Sequence, residues 1–307
     1  MRLSSILASV SLLALLALLS ATASAESLYA VSMRTYSDPG YKGVEGNLYV
    51  VSTETGASRL LSTLTVGGGK PVGLDGLAIH PKTGRFYGIT APTSATIPRS
   101  LVTIDPKTGV VTVVGDLCHT GTDIEFDSEG TLYVWLPDTR QLGTANLDTG
   151  EVTPHGPALE RGALKGSLAL IGGGRALVAA TGGKGTIDTM DIATGVITPG
   201  PALTGAPFPD LINGLAFSSR GVLYGNNSNG GQPTLANLVM VDPRTGQVTN
   251  VGPLPNDTDA LAFGPEISDV RDMSAGVMEW RMPLLIVLFL LAVVVLIVAM
   301  RAKPPKG

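Results

Sequence analysis

Cysteine is almost absent: Cys118 stands alone in 307 residues. A disulfide scaffold and a zinc module built on clustered cysteines are therefore excluded. There are three histidines, aromatics make up 5% of the chain, and charged residues 15%, where soluble domains carry about a quarter. The formal net charge is −4, without the basic surplus that a nucleic-acid partner requires. Helical periodicity is missing between residue 26 and residue 265, which argues against parallel α/β folds. What remains is turn-rich and apolar: 39 Gly and 21 Pro beside 44% hydrophobic residues. That is too much apolar surface for a disordered chain.

The two ends read as address labels. Arg2, an apolar stretch over 6–19 and Ala23-Ser24-Ala25 make a signal peptide of residues 1–25 with an A-x-A cleavage site. Residues 283–300 carry no charge and are followed by Arg301, Lys303 and Lys306. At about 1.5 Å per residue this stretch just spans a bilayer core, and the basic tail 301–307 stays cytoplasmic. The expected layout is thus a domain over 26–265, a juxtamembrane linker over 266–282 and a single transmembrane helix. This places the domain outside the cytoplasm, periplasmic or at the cell surface. The exported part, 26–282, holds all 25 acids and 17 of the bases, a net charge of −8.

Within that domain one phrase recurs. Thr-Gly stands at 55–56, 108–109, 149–150, 194–195 and 245–246, in steps of 53, 41, 45 and 51 residues. Spacings of this size mark solenoids, propellers or arrays. Three residues before each Thr stands Ser52, Asp105, Asn146, Asp191 or Asp242, a side chain that accepts hydrogen bonds from turn amides. Gly then supplies the positive φ that closes a tight hairpin. A second hairpin precedes each of these. Its first strand reads Gly76-Leu77-Ala78-Ile79, Asp123-Ile124-Glu125-Phe126, Ser167-Leu168-Ala169-Leu170, Gly214-Leu215-Ala216-Phe217 and Ala260-Leu261-Ala262-Phe263. The unit is therefore four strands, A to D, and four-stranded units at this period are propeller blades. The last A strand lacks followers, and the mature chain opens with an orphan B strand at Leu28-Tyr29-Ala30-Val31. Together they predict an all-β propeller of about five blades, closed by one composite blade from both chain ends. Six blades would require strands within a long connection.

Gly-Leu-Ala-Phe, Gly-x-Leu-Tyr and Ile-Asp-Pro-x-Thr-Gly, as at 214–217, 221–224 and 104–109, carry a resemblance to the YVTN/quinoprotein-like and NHL-like bacterial β-propeller superfamily. It covers nearly all of 26–265. It implies blades and leaves activity open, since such propellers range from enzymes to passive binders.

The A–B and C–D connections are tight and are expected on one face. The B–C and D–A connections are longer: 33–46, 66–75, 91–100, 182–186, 200–213 and 226–236. They form the face where a site is expected, pointing away from the membrane. Polar residues start the A strands there: Asp75, Asn213 and Asp259 align, with Asp123 beside Thr122 in the third blade to be counted from the mature N-terminus. Such oxygens, converging at the channel mouth, would hold Ca²⁺. The alternative is that each side chain ties down its own loop or the next blade. His80, His119 and His155 fall at unrelated places, which argues against a three-histidine metal site. Cys118 beside His119 is a weak nucleophile pair. Tyr29, Tyr87, Tyr133 and Tyr224 share a strand-B position and mark a packing layer, whereas Trp135 is unrepeated and faces either solvent or the channel. Gly67-Gly68-Gly69 and Gly172-Gly173-Gly174 precede no helix and so fail as phosphate loops. Asn226-Asn227-Ser228 and Asn256-Asp257-Thr258 fit the glycan-acceptor pattern.

These observations point to a membrane-anchored binding module. It would take a protein or small-molecule ligand on its loop face, and it has no assigned catalytic residue. The alternative is a lactonase-like hydrolase using a cation held by Asp75, Asp123, Asn213 and Asp259 as Lewis acid. A quinone-cofactor dehydrogenase fits less well, because the blades lack a repeated Trp.

Overall fold

Twenty-two strands are present in the computed structural model, which describes residues 26–33, 46–156, 158, 166–180, 185–208, 212–231 and 234–267. The signal peptide, most of the linker, the apolar stretch 283–300 and the basic tail lie outside the described residues. The described residues contain no helix.

In chain order, β1 (Glu26–Ser32), β2 (Asn47–Val51) and β3 (Ser58–Thr63) come first, followed by a short hairpin of β4 (Thr65–Val66) and β5 (Lys70–Pro71). Blade 1 is β6 (Gly76–Ile79), β7 (Phe86–Ile89), β8 (Ser100–Ile104) and β9 (Val110–Asp116). Blade 2 is β10 (Asp123–Phe126), β11 (Leu132–Leu136), β12 (Gln141–Ala145) and β13 (Val152–His155). Blade 3 is β14 (Gly166–Gly172), β15 (Arg175–Ala180), β16 (Thr186–Asp191) and β17 (Ile197–Thr198). Blade 4 is β18 (Ile212–Phe217), β19 (Leu223–Ser228), β20 (Ala236–Val241) and β21 (Val248–Leu254). The last strand, β22 (Thr258–Pro265), returns to pair with β1, giving the sheet order β22-β1-β2-β3 for blade 5. The chain is a five-bladed β-propeller, and the composite blade is the one expected. Its closing register runs from Glu26↔Pro265 to Ser32↔Thr258, antiparallel. Each innermost strand packs on the next, β6 on β10, β10 on β14, β14 on β18, β18 on β22 and β22 on β6, which closes the ring.

The core lies in the seams between blades. Ala78, Tyr87 and Leu101 of blade 1 pack with Ile124, Leu132 and Val134 of blade 2. Ala169, Leu177 and Ile187 of blade 3 meet Ile212, Leu215 and Val239 of blade 4. Leu28, Ala30 and Tyr49 of blade 5 meet Ala216, Tyr224 and Leu238 of blade 4. Trp135 is wholly buried between blades 2 and 3, against Leu142, Leu168, Ala176 and Met190. It faces neither solvent nor channel, the two places considered for it above. The strand-B tyrosines form the expected packing layer: Tyr29 sits edge-on to Phe86 at 4.9 Å, Tyr87 to Phe126 at 5.3 Å, and Tyr224 tilts against Phe263 at 5.6 Å.

Every Thr-Gly turn has one geometry. The Gly amide donates to the backbone carbonyl four residues earlier, Gly109 to Asp105 and Gly246 to Asp242 both at 2.8 Å, and the other three alike. The side chain opening the turn accepts from the amides that follow, as Asp105 does from Lys107 at 2.9 Å and Asn146 from Asp148 at 2.8 Å. Positive φ accounts for only part of the glycine requirement. A Cβ on Gly109 would overlap the Thr63 carbonyl oxygen at the end of β3, the outer strand of the preceding blade. Gly56 meets Gly252, Gly150 meets Gly115 and Gly246 meets Ala202 in the same way. The C–D turns are thus carried round by blade twist onto the neighbouring outer strand, while the A–B turns stay at one end of the channel. The same clasp accounts for β4, which the sequence placed in a loop. Thr65 N donates to Gly109 O at 2.9 Å, and β4 runs parallel to β9; Thr204 N repeats this on Gly246 O at 2.9 Å.

Gly109→Ala should therefore cost about 3 kcal/mol, from left-handed backbone plus overpacking, and lower the melting midpoint by roughly 8 °C. Gly221→Ala is the control: φ is +76° but nothing lies within 4 Å of the new Cβ, so it should cost about 1 kcal/mol. Equal costs in a thermal melt would show that the neighbouring blade does not matter.

Candidate functional site

An innermost strand is paired on one side only, so its channel-side amides need acceptors. In blade 3 these come from the side chains of blade 2. Asp123 Oδ2 accepts from Leu168 N at 2.9 Å, and its Oδ1 accepts from its own neighbour Ile124 N at 2.9 Å. Two residues on, Glu125 Oε2 accepts from Leu170 N at 2.5 Å. Asp123 and Glu125 share one side of β10, as the strand period requires. Asp123 is 1% exposed. Burial raises its carboxyl well above the usual range, against the pull of the Leu168 and Ile124 amides; the charge of Glu125 raises it further, and the Leu215 amide across the channel pulls it down. Glu125 is half-buried, and desolvation pushes it up to about 8, opposed by the Leu170 amide.

The other expected ligands lie along the same rim. Asp75 is buried at the start of β6, 7% exposed. Asn213 and Asp259 meet: Asn213 Nδ2 donates to Asp259 Oδ1 at 3.0 Å and to Ser228 Oγ at 3.0 Å. Asp75, Asp123 and Asp259 do not gather as one group, and among the described residues no three His, Cys, Asp or Glu side chains stand together as metal ligands. His80 sits in the β6–β7 turn, His155 on β13 bonded to Thr144 Oγ1 at 3.1 Å, and His119 in the β9–β10 connection, so they do not converge. Cys118 is exposed, with φ of +60° and its amide on Asp116 Oδ1 at 2.7 Å. Asn226 is wholly buried and donates to Thr258 O, so the acceptor pattern at 226–228 is inside the folded ring.

Sequence reading missed the concave feature. A cavity of about 720 Å³ opens at the A–B-turn end of the channel, the end opposite the long loops. Its walls are Leu77, Ile79, Ile124, Leu215 and Leu261 with Phe126, Phe217 and Phe263, and Glu125 lines it. The signal for Glu125 was in the repeat. At its place in strand A the other blades carry Ala78, Ala169, Ala216 and Ala262.

No family model matches this chain, and no curated protein matches it. Among solved structures it is similar to a chain of a nidogen/laminin complex, with 11% identity and a TM-score of 0.48 over 78% of this chain and 98% of the other. It is also similar to a protein of unknown function from Bacteroides caccae, with 13% identity and a TM-score of 0.46 over 79% of this chain and all of the other.

The raised carboxyl makes a pH prediction. Between the ordinary glutamate value of 4.5 and about 8 the folded chain holds a proton on Glu125 that the unfolded chain has lost. Stability therefore falls as pH rises through that window, by at most about 5 kcal/mol before screening by water in the cavity. Glu125→Gln keeps the acceptor for Leu170. It should flatten much of the fall in melting midpoint between about pH 5 and pH 8.5, and raise the midpoint at the alkaline end. Parallel curves for the two proteins would mean that Glu125 titrates normally.

Proposed function

We propose that this chain is a membrane-anchored, extracytoplasmic propeller of the YVTN/quinoprotein-like and NHL-like kind that works as a binding module, presenting its loop end to a partner. The observation that supports this is where the buried polar side chains lie. Ser32, Asn47, Thr90, Ser100, Asn227 and Ser228 are buried and sit at the strand ends that border the long connections 33–46, 90–99 and 229–235, and buried Asp257 reaches the last of these. They bond to the loop backbone: Ser32 Oγ accepts from Asn47 N at 2.9 Å, Asn227 Nδ2 donates to Phe208 O at 2.8 Å, and Asp257 Oδ1 accepts from Thr234 N at 3.0 Å. The described ends of these connections, pinned this way, are the setting in which recognition on a rigid scaffold usually occurs. The signal peptide and the apolar stretch with its basic tail support export and anchoring.

The second reading is a lactonase-like hydrolase with Ca²⁺ at the channel mouth. The Asn213–Asp259 contact favours it by bringing two of the candidate side chains together, through Asn213 Nδ2. Asp123 fits it poorly, since both of its oxygens already hold amides.

Three measurements test this. Expressed in a bacterium, the full chain should sediment with membranes and resist a carbonate wash, and a chain ending at 282 should not. A photo-crosslinking residue at exposed Thr93, on the β7–β8 connection, should give a discrete adduct, while one at exposed Ser128, in the β10–β11 turn, should not; the reverse pattern would overturn the loop-end assignment. Calcium should leave the melting midpoint unchanged against chelator. A site filled at a hundredfold excess over Kd would add about 2.7 kcal/mol and raise the midpoint by roughly 5 °C or more, which would favour the hydrolase.

A further inference from the structure

We propose that the A–B-turn end of the channel is a second, separate site, and that it binds a small organic ammonium ion, the charge on Glu125 and the apolar body against Phe126, Phe217 and Phe263. The inference is independent of the loop-end reading.

Four observations carry it. The cavity, about 720 Å³, falls in the size range of small-molecule sites. Glu125 replaces the alanine that the other four blades carry at its position, so the acid is a departure from the repeat. It is costly to place there. Glu125 bonds through Oε2, to Leu170 N, and no cation is among the causes acting on its carboxyl. Asp123 adds a second carboxyl on the same side of β10, held by amides. A ligand that brings a positive charge supplies what the protein does not.

The walls then decide which kind of cation. Hard metal ions require six or more oxygens, and here most of the lining is hydrocarbon. The last residue of strand A is Phe126, Phe217 or Phe263 in three blades, and each of these rings is half-buried and lines the cavity. Phe126 is held from behind by His80 at 4.9 Å and Tyr87 at 5.3 Å, and Phe263 by Tyr224 at 5.6 Å. Aromatic rings beside a carboxyl attract an organic ammonium through the ring quadrupole as well as by apolar contact. A neutral ligand would use the rings and leave the carboxyl pair uncompensated.

The groups facing Glu125 are few. β10 itself contributes Asp123, and β14 contributes backbone amides. From blade 1 come His80, whose Nδ1 accepts from Lys82 N at 3.1 Å, and Lys82, paired outward with Glu129 at 3.1 Å. At the rim Glu26 accepts from Ser219 N at 3.0 Å. No charged group of β18 or β22 lines the cavity. Among the residues lining the cavity, Glu125 stands on β10 and His80 in the β6–β7 turn.

The test is calorimetric titration of the full chain in detergent with pentylammonium, 1-pentanol and pentanoate, with Glu125→Gln as the reference for detergent partitioning. At about pH 8.5 pentylammonium should bind at least about tenfold tighter than pentanol, and pentanoate should not bind. Lowering the pH to about 6.5 should weaken pentylammonium roughly twentyfold as Glu125 takes up its proton, and leave pentanol unchanged. Glu125→Gln should remove both the preference and its pH dependence, while His80→Gln should keep both. Phe217→Ala should weaken both ligands. Equal affinity for pentanol and pentylammonium, a preference that survives Glu125→Gln, or no binding of pentylammonium by a protein whose stability still shows the Glu125 titration would each overturn the proposal.

Discussion

A propeller depends on a ring that has no natural end. Four of the five blades here are continuous pieces of chain, and each buries its apolar residues only against its neighbours. None is complete until the last seam closes. That seam depends on β22 returning to pair with β1 over seven residue pairs, with Tyr29 Oη donating to the Pro265 carbonyl at 2.8 Å at the outer end of the register. Leu28 and Ala30, buried in this sheet, pack directly onto blade 4. Chain ends far apart in sequence thus supply adjacent strands, and folding of the ring is bound to be cooperative around this join.

Closure fixes the five innermost strands around a channel, and this creates the problem from which both candidate sites arise. Each innermost strand has one unpaired edge. At the loop end the surroundings are polar, and short side chains such as Asn213, Ser228 and Asp259 satisfy one another and the loops. At the A–B-turn end the strands finish in Ile79, Phe126, Leu170, Phe217 and Phe263, and little there accepts a hydrogen bond. Blade 2 addresses this with two carboxylates. Asp123 lies deep enough to serve three strands, and Glu125 reaches the edge of β14 from the cavity itself. Both lie in a desolvated place that disfavours their charged form.

The fold was legible in the sequence because its signals are local and repeated. A strand pattern followed by an amide-accepting side chain, Thr and Gly specifies a hairpin wherever it occurs, and five occurrences at blade spacing specify a ring. The orphan strands at Leu28 and Ala260 even indicated how it closes. Less legible was anything that depends on one blade meeting the next. Gly109 reads as a turn residue, yet the carbonyl of Thr63, distant in sequence, forbids a side chain there. The β4–β5 hairpin exists because Thr65 finds the Gly109 carbonyl at the clasp; nothing in residues 64–72 alone requires a strand. Trp135 lacks a counterpart in other blades, so its burial between blades 2 and 3 could not be read from alignment. Asp123 reads as a ligand because it begins an A strand, which is also why it is placed to hold the neighbouring strand's amide.

Glu125 is illegible for the opposite reason: it sits inside a strand motif that reads as structure. In a repeat fold, the shared residues carry the architecture, and specificity is free to reside where one copy departs from the rest. Four blades place alanine against the next inner strand because a methyl group fits the seam and makes no demand on it. A glutamate at the fifth place carries a desolvation cost that the other blades avoid with Ala78, Ala169, Ala216 and Ala262. The acid lies beside half-exposed phenylalanines in the cavity on the far side of the ring from the loops. The channel is therefore polar at one end and apolar with a desolvated carboxyl at the other. An architecture of five similar blades has in this way acquired two chemically different mouths.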